Sequence, residues 1–282
     1  MYKFIFSLLS IVILLQSCST PSKVALPKEL NESSALAVYN DLFLTVNDSD
    51  NEPIIFIFNK KGEITHQSYV KNSFNWDWEA LAYDGEKYLY IGDIGNNLND
   101  RKDLRIFRVE MEEVMQKDSV IAEIINFNYP DQVNFPPAKT DLYYDAEAMI
   151  VKNDEILIFT KNRTVPFDGI SKVYSIPTTL GTYEAKYLYD LQLPATLWIE
   201  ESITDAYYYK DELYILTYSK LYRFKWQNNS WVKQKEWLHD SISQKEGVAV
   251  NRKHIYITDE DNENFVDFMK VKGNFLYTMK RK

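Results

Sequence analysis

The chain has 282 residues, a formal net charge of −9 and 15% aromatic residues, among them 21 Tyr and 15 Phe. The negative charge argues against nucleic-acid binding, which needs basic residues to neutralise phosphates, and the Tyr and Phe content favours β-strands. Because no linker rich in Pro and Ser interrupts the sequence after residue 30, we expect a single domain over residues 31–282.

Residues 1–17 have the pattern of a signal peptide. Lys3 precedes an apolar run from Phe4 to Leu15, which is shorter than the roughly 20 residues that a membrane-spanning helix needs. The next residues, Leu15-Gln16-Ser17-Cys18, resemble the lipobox of bacterial lipoproteins, in which the cysteine is acylated and becomes the mature N-terminus. The alternative is a buried N-terminal helix with an ordinary core cysteine.

The lipobox resemblance implies palmitate-type acylation of Cys18 and a membrane anchor in the bacterial cell envelope. Residues 18–30 are then the lipidated cysteine and a flexible tether. Because no acidic cluster follows the cysteine, we expect the outer membrane with the protein facing the periplasm. Cys18 is the only cysteine, so no disulfide can form and the domain must be stabilised by packing.

A degenerate repeat occurs five times after the tether. Each copy has an acidic residue, a short apolar strand, a tight turn, a second strand ending in a polar residue, and two further strand candidates. The copies open at Glu32–Val38, Asp77–Ala82, Asp145–Ile150, Glu201–Ala206 and Glu246–Val250. Repeated four-stranded meanders of this length predict an all-β fold, a five-bladed β-propeller.

Two segments decide how the ring closes and how many blades it has. In the last copy, Phe265–Val271 and Phe275–Met279 are the third and fourth strand candidates, and Val24–Leu30 is a candidate to pair with that blade and close the ring. A long loop from Pro130 to Tyr144 separates the second and third copies. If this loop contained strands, the count would become six.

The repeated acids predict a cation site at one mouth of the central channel. In a meander blade the first strand lies nearest the axis, and its start meets the end of the second strand. The predicted metal ligands are Glu32, Asp48, Asp77, Asp93, Asp145, Glu201, Glu246 and Asp259. Converging carboxylates repel one another unless a cation or protons intervene, and hard oxygen ligands suit Ca²⁺ best, with Mg²⁺ or Mn²⁺ as alternatives. The competing interpretation is a structural carboxylate that accepts backbone hydrogen bonds from the next blade.

Two blades carry an Asp-x-Glu pair, Asp77/Glu79 and Asp145/Glu147. Alternation along a strand places both carboxylates of a pair on the same face. One member can bind metal while its neighbour acts as a general base, so Glu79 and Glu147 are the predicted catalytic residues. The alternative is that the first acid of each pair only caps the loop.

Basic and aromatic residues are expected at the same end. The predicted ligand-binding residues are Arg101, Lys102, Lys161, Arg163 and Trp76. Arginine and lysine recognise anionic groups, so a small anionic ligand is expected, although surface charges that balance an acidic domain are an alternative. Trp76 and Trp78 flank Asp77, and at least one of them is expected in the core.

The opening Glu32-x-x-Ala, its shorter form at Glu79, and the strand end Gly92-Asp93-Ile94-Gly95-Asn96-Asn97 resemble bacterial propellers of the phytase-like and SdiA-regulated families. This resemblance implies calcium at the propeller mouth and, in some relatives, cleavage of phosphate esters. Lactonase propellers of similar shape open cyclic esters. A phytase-like site needs a denser cluster of Lys and Arg than this sequence provides.

Three functions remain open from the sequence. One is a metal-dependent hydrolase of phosphate esters or lactones, anchored in the envelope. The second is a non-catalytic envelope module that binds a peptide, glycan or partner protein across the same face, and the third is a purely structural propeller.

Overall fold

A computed structural model describes residues 21–239, 243–261 and 273–282. Its strands, in chain order, are β1 (Ser22–Ala25), β2 (Ala37–Tyr39), β3 (Leu42–Thr45), β4 (Ile54–Phe58), β5 (Ile64–Val70), β6 (Trp78–Tyr83), β7 (Tyr88–Asp93), β8 (Arg105–Glu110), β9 (Ser119–Val120), β10 (Glu123–Asn128), β11 (Asp145–Lys152), β12 (Glu155–Lys161), β13 (Ile170–Pro177), β14 (Gly181–Glu184), β15 (Lys186–Gln192), β16 (Ile203–Tyr209), β17 (Glu212–Thr217), β18 (Lys220–Gln227), β19 (Ser230–Leu238), β20 (Gln244–Val250), β21 (His254–Glu260) and β22 (Phe275–Lys280). Helical structure within these ranges consists of α1 (Met111–Gln116), α2 (Trp198–Glu201) and 3₁₀ turns at Lys28–Leu30 and Lys139–Asp141.

The strands form five sheets, which confirms the predicted five-bladed propeller. The blades are β2-β3-β4-β5-β9, β6-β7-β8-β10-β14, β11-β12-β13-β15, β16-β17-β18-β19 and β20-β21-β22-β1. The innermost strands β2, β6, β11, β16 and β20 contact one another in that order, and β20 contacts β2 to complete the ring. The loop from Pro130 to Tyr144 contains only the 3₁₀ turn, so the six-bladed alternative is wrong.

The chain closes the ring by pairing its first strand with its last. β1 is antiparallel to β22, with Ser22 opposite Thr278 and Ala25 opposite Phe275. The predicted closure is therefore present, but it uses Ser22–Ala25 rather than Val24–Leu30. Because β22 pairs directly with β21, Phe275–Lys280 is the third strand of the fifth blade rather than the fourth. The other predicted strand, Phe265–Val271, lies outside the described residues.

Two short strands join neighbouring blades at the periphery. β9 pairs in parallel with β5 of the first blade, although the chain is by then building the second blade. β14, from the third blade, pairs in parallel with β10 of the second. Ser119–Val120 therefore extends the edge of the first blade, whereas Glu123–Asn128, a few residues later, belongs to the second.

The hydrophobic core is divided among the interfaces between blades. Side chains alternate along a strand, so each sheet sends one set to each neighbouring blade. In β3, Phe43 packs with Tyr256 of the fifth blade, whereas the adjacent Leu44 packs with Trp78 of the second. Burial on both faces explains why the inner strands are apolar along most of their length and leaves their ends to carry the polar groups.

A β-bulge interrupts the start of each innermost strand. The register shifts between Trp78 and Ala80, Ala146 and Ala148, Ile203 and Asp205, and Lys245 and Gly247. The bulged residues are therefore Glu79, Glu147, Thr204 and Glu246, and the corresponding position in the first blade is Ser34, which lies after the Ser33–Asn47 bridge. A bulge re-aims a side chain. No helix in the described ranges is long and apolar enough to cross a membrane.

Candidate functional site

The bulged ends of the inner strands surround a cavity of about 190 Å³. We call this end of the propeller the mouth. The cavity is lined by Ser34, Asp48, Glu79, Asn97, Glu147, Lys161, Arg163, Trp198, Tyr218, Gln244, Glu246 and Glu260. Four of the five bulge positions are in this set. The bulges thus direct the side chains of Glu79, Glu147 and Glu246 into the same cavity. The sequence pattern alone does not specify this convergence.

Three carboxylates form a compact cluster on one side of the mouth. One oxygen from each of Asp48, Asp77 and Glu79 lies within 4.8 Å of the others. Asp48 follows β3, Asp77 immediately precedes β6, and Glu79 is the bulged residue of β6. The donors are all carboxylate oxygens, which is the chemistry that Ca²⁺ prefers.

Gly95 makes room for this cluster. A Cβ atom at residue 95 would lie 2.4 Å from Cγ of Asp77 and 2.8 Å from Cγ of Glu79. Both distances are too short for carbon atoms, so any side chain at this position would displace the two carboxylates. The backbone therefore approaches the cluster closely because residue 95 is glycine, and the three residues fit a divalent cation.

The third blade, next to the second, contributes basic residues to the mouth, but their charges are already compensated. Lys161 Nζ lies 3.0 Å from Glu147 Oε1 and donates a hydrogen bond of 2.8 Å to the Tyr218 hydroxyl. Arg163 Nε donates to Asp145 Oδ2 at 2.6 Å, and its Nη2 is 3.5 Å from Glu147 Oε1. Burial alone would lower the pKa of Lys161, but the Glu147 carboxylate raises it well above its ordinary value, so Lys161 is charged.

The fifth blade contributes a third group of acceptors. Glu246 is only 4% exposed, and its Oε2 has no hydrogen-bond partner among the described residues. Gln244 Nε2 donates to Glu260 Oε2, directly across the β20–β21 pair. A buried acceptor without a partner is costly, so Glu246 Oε2 is available for a ligand or a proton.

Burial and mutual repulsion raise the pKa of the cavity carboxylates. Desolvation is the largest cause in each case; the charges of neighbouring acids add to it, and at Glu246 the charge of Lys161 opposes it. Together these effects raise the pKa of Asp77 and of Glu246 to about 7 and that of Glu260 to about 9. The pKa of Glu79 is also raised well above its ordinary range, with Asp48 the strongest neighbouring charge. Without a cation, the cavity therefore holds protons near neutral pH.

These shifts predict that stability falls with rising pH when cations are removed. A carboxyl group with a raised pKa binds its proton more tightly in the folded state, so folding becomes less favourable as pH rises from the unfolded value, near 4, to the folded value. In chelator we expect the melting temperature to fall between pH 5 and 9, with Asp77, Glu246 and Glu260 as the main contributors. Calcium should restore it more at pH 8 than at pH 5, because protons compete with the cation. Differential scanning fluorimetry across this range measures both effects, and an equal calcium shift at both pH values would contradict the assignment.

Three of the predicted metal ligands are absent from the cavity lining and accept hydrogen bonds from backbone N–H groups. Asp93 accepts from Arg101 Nη2 at 3.0 Å and from the Asp77 backbone N–H at 3.1 Å. Asp145 accepts from the Asn96 backbone N–H of the second blade at 2.7 Å. Asp259 accepts from Phe275 N–H at 2.8 Å and from the Ser243 and Tyr277 hydroxyls at 2.7 Å. These bonds use both oxygens of Asp259, and the second oxygen of Asp145 accepts from Arg163. Both bonds to Asp93 go to Oδ1, whereas its Oδ2 has no hydrogen-bond partner among the described residues and lies 3.5 Å from Arg105 Nε.

Glu32 and Glu201 also lie away from the cavity lining. Glu32 accepts a hydrogen bond from Asn51. Glu201 ends α2, where it pairs with Lys220 and accepts a 2.5 Å hydrogen bond from the Tyr222 hydroxyl. The residues equivalent to Glu79 in these two blades are Ser34 and Thr204; Glu32 corresponds to Asp77, whereas Glu201 lies one position too early in the chain for that alignment. Ser34 and Thr204 each donate at 2.6 Å to the carbonyl that precedes the next blade's bulge, Trp78 O and Lys245 O respectively.

Only two of the five predicted ligand-binding residues line the cavity, namely Lys161 and Arg163. Arg101 binds Asp93 and donates to the Gly95 carbonyl at 2.7 Å, and Lys102 lies 4.6 Å from the centre of the Phe135 ring. Trp76 is 57% exposed and packs on Phe74. Trp78 is fully buried, which confirms the expectation that one of the two tryptophans is in the core.

Several cavity residues were absent from the predicted site. Glu260 is the clearest, because it follows Asp259 as Asp48 follows Asn47, and the second-strand ends could have been aligned to reveal it. Trp198 lies 6.0 Å from Tyr218 between ring centres, and the Arg163 guanidinium is 5.6 Å from the Trp198 ring. No repeat pattern marks Trp198, because it begins the short helix α2 in the connection before the fourth blade.

Comparison with known proteins identifies the fold. The sequence matches no family model and no curated protein. The PQQ-bound aldose sugar dehydrogenase of Streptomyces coelicolor is 11% identical with a TM-score of 0.50, over 93% of this chain and 99% of that one. Glutaminyl cyclase of Myxococcus xanthus is 9% identical with a TM-score of 0.51, over 92% and 94% of the two chains. A luciferin-regenerating enzyme is 9% identical with a TM-score of 0.51, over 92% and 95%.

These structural neighbours are β-propeller enzymes that span nearly the whole chain. At such low identity they share the fold alone and transfer no substrate or cofactor. The resemblance to lipoproteins and to the phytase-like and SdiA-regulated propellers stays a prediction.

Proposed function

We propose that this chain is an exported, envelope-anchored β-propeller lipoprotein that binds a divalent cation, Ca²⁺, at its mouth and hydrolyses a small phosphate ester or lactone there. The observation that carries the proposal is the cluster of Asp48, Asp77 and Glu79, whose oxygens lie within 4.8 Å of one another.

Charge balance favours a cation over a purely structural role. Lys161 and Arg163 are matched by Glu147 and Asp145. The remaining carboxylates at the mouth have no ion-pair partner in the described part of the chain: Asp48, Asp77, Glu79, Glu246 and Glu260. Burying this much uncompensated charge is unfavourable, and a divalent cation removes the largest part of the repulsion. Export also suits a weak carboxylate site, since extracellular calcium is abundant enough to fill it.

The cavity residues divide the chemical roles among them. A bound cation would polarise an ester oxygen and lower the pKa of a water molecule. Glu246 is our candidate proton acceptor, because its Oε2 is unpartnered among the described residues. Glu147 is a weaker candidate base than its sequence suggests, since Lys161 and Arg163 hold it. Arg163 and Trp198 are placed to contact an anionic group and a ring.

Calcium-dependent stability and turnover test this proposal together. We expect calcium at millimolar concentration to raise the melting temperature over the chelated protein, because a ligand that binds only the native state stabilises it. We also expect calcium-dependent turnover on a panel of phosphate monoesters, phosphodiesters and lactones. A calcium-induced shift without turnover on any substrate would contradict hydrolysis while retaining the cation site, and the absence of both would contradict the whole assignment.

A non-catalytic binding module is the second candidate, and the rim of the mouth favours it. Phe74 and Trp76 are each 57% exposed and Leu98 is 72% exposed, and all three lie in segments at the cavity end of the second blade. The cavity itself, at about 190 Å³, is smaller than most small-molecule sites. A partner protein or glycan that covers this rim and inserts one group into the cavity fits both observations.

The anchor rests on Cys18, which lies outside the described residues. We expect the protein expressed in a bacterial host to carry lipid at Cys18 and to fractionate with membranes. Cys18→Ser should abolish incorporation of radiolabelled palmitate and release the protein to the soluble fraction, while Ser17→Ala, which keeps a small residue before the cysteine, should remain acylated. Membrane fractionation of Cys18→Ser at the wild-type level would refute the anchor.

A further inference from the structure

The direction of β1 determines which end of the propeller the N-terminal segment leaves. Cavity residues stand at the start of β20 and the end of β21, so these strand ends mark the mouth. β22 is antiparallel to β21, with His254 opposite Lys280, and β1 is antiparallel to β22, with Ser22 opposite Thr278. Ser22 therefore lies at the end opposite the mouth, which we call the far face.

The tether is too short to reach around the propeller. Cys18 precedes Ser22 by four residues, and a fully extended chain spans at most about 3.6 Å per residue, or roughly 14 Å here. A lipid on Cys18, which is part of the proposed function on which this inference rests, would thus hold the fifth blade's end of the far face near the bilayer.

That same end of the fifth blade is basic, in contrast to the mouth. Arg252 and Lys253 form the turn between β20 and β21, and Lys280 and Lys282 lie at the end of β22 and beyond it. We call these four exposed residues the basic edge. None of them forms an ion pair with another described residue, whereas the neighbouring Arg281 pairs with Glu212. The Arg281 N–H donates to the Lys253 carbonyl at 3.1 Å, which keeps the two segments together.

The fifth blade differs from the others in its inner turn, which has no acid. The corresponding turns of the other blades carry Asp41, Asp84, Asp154 and Asp211, the last of them next to Lys210. In the adjacent fourth blade, the end of β18 and the start of β19 present Trp226, which is 41% exposed, and Trp231. Tryptophan favours the interface between water and lipid, and basic residues are attracted to anionic headgroups. The basic edge and the tether exit thus lie at the same end of the fifth blade, and the two tryptophans lie on the far face of the fourth blade, where they contact Tyr189 and Lys152 of the third.

We propose that the far face, led by the basic edge, lies against an anionic lipid surface, and that the mouth points away from the membrane toward the aqueous compartment. The anchor then does more than retain the protein at the envelope. It orients the cavity so that a water-soluble ligand enters without passing the bilayer.

The orientation is measured with single thiol labels on the full-length lipidated protein in vesicles. Because acylation consumes Cys18, the only native cysteine, an introduced cysteine is the sole free thiol. Gln227→Cys places a fluorophore at the far face and Leu98→Cys places one at the mouth; both positions are exposed. With spin-labelled headgroups in vesicles containing anionic lipid, we expect strong quenching at residue 227 and little at residue 98.

The basic edge is tested by charge reversal on the Gln227→Cys background. Arg252→Glu with Lys253→Glu is expected to reduce the ratio of quenched to unquenched label at least tenfold, because each basic residue near an anionic surface contributes about fivefold to binding. Lys71→Glu with Lys139→Glu makes the same charge change at the mouth end and should leave the ratio unchanged.

The possible results separate the orientation from the proposed function. Intact mass without lipid on Cys18 would overturn the anchor and the tether argument with it. With lipid present, equal quenching at residues 98 and 227 would overturn the orientation alone and leave the cation site untouched. Quenching at residue 227 that is the same in neutral and anionic vesicles would overturn the role of the basic edge.

Discussion

Replacing Lys161 by Met is expected to lower the free energy of unfolding by about 3–5 kcal/mol, the range for breaking a buried ion pair from one side. Lys161 is only 3% exposed and lies 3.0 Å from the Glu147 carboxylate. Without the ammonium group, Glu147 keeps only a longer contact to Arg163, at 3.5 Å, in a cavity that already carries excess negative charge. Urea denaturation in chelator measures the loss directly.

Two further variants define what the ion pair contributes. Lys161→Met with Glu147→Gln removes both charges and should recover most of the stability, because no buried charge is then left alone. Lys172→Met breaks a pair of similar length, 2.8 Å to Asp131, that is partly exposed, and should cost less than about 1 kcal/mol. A double variant no more stable than Lys161→Met would show that packing of the lysine stem, rather than charge, accounts for the effect.

The same substitution should strengthen calcium binding while it weakens the fold. Removing a positive charge from the cavity makes the potential at Asp48, Asp77 and Glu79 more negative, since Lys161 lowers the pKa of Asp48 and Glu79 in the intact protein. We therefore expect the calcium-induced rise in melting temperature to be larger in Lys161→Met than in the wild type. A general loss of structure would reduce both quantities.

Glu79→Gln is expected to lower calcium affinity at least thirtyfold. The substitution keeps the shape of the side chain but removes one of three clustered carboxylates, and a neutral amide oxygen is a poorer calcium ligand. In chelator the variant should be more stable than the wild type, because burial and neighbouring acids already oppose ionisation of Glu79. Isothermal titration calorimetry and melting temperatures with and without calcium measure the two changes of opposite sign.

Comparison with Glu246→Gln and Glu32→Gln assigns the roles. Glu246→Gln should retain most of the calcium affinity but reduce turnover by about a hundredfold or more, as expected on loss of a general base. Glu32→Gln removes an acid at the same end that binds Asn51 rather than lining the cavity, and it should change both properties less than threefold. If Glu32→Gln weakened calcium binding as much as Glu79→Gln, the cluster would be assigned to the wrong residues.

The number of blades and the end of the propeller that carries the acids follow from local sequence patterns. Each strand pair, such as Tyr88–Asp93 after Trp78–Tyr83, is specified by apolar residues and a tight turn within a few positions. Five such units can be counted without knowing how they pack. The direction of each strand then places the acids at one end.

The identity of the site residues depends on distances between blades. Side chains alternate along a strand, so the one residue that a bulge inserts decides which position faces the channel. In the second blade that position is Glu79, whereas in the first blade it is Ser34. The availability of a carboxylate depends on partners remote in sequence: Asn96 satisfies Asp145, whereas Glu246 Oε2 meets no partner in the described ranges.

The sequence alone determined a five-bladed acidic propeller and predicted its lipid anchor, because strands, turns and the segment before Cys18 are local patterns. Only the tertiary structure decided that Asp48, Asp77 and Glu79 converge, while Asp93, Asp145 and Asp259 accept hydrogen bonds from backbone N–H groups. It also decided that Ser22 leaves from the face opposite the cavity. These outcomes depend on register and on contacts between strands far apart in the chain, which no single segment encodes.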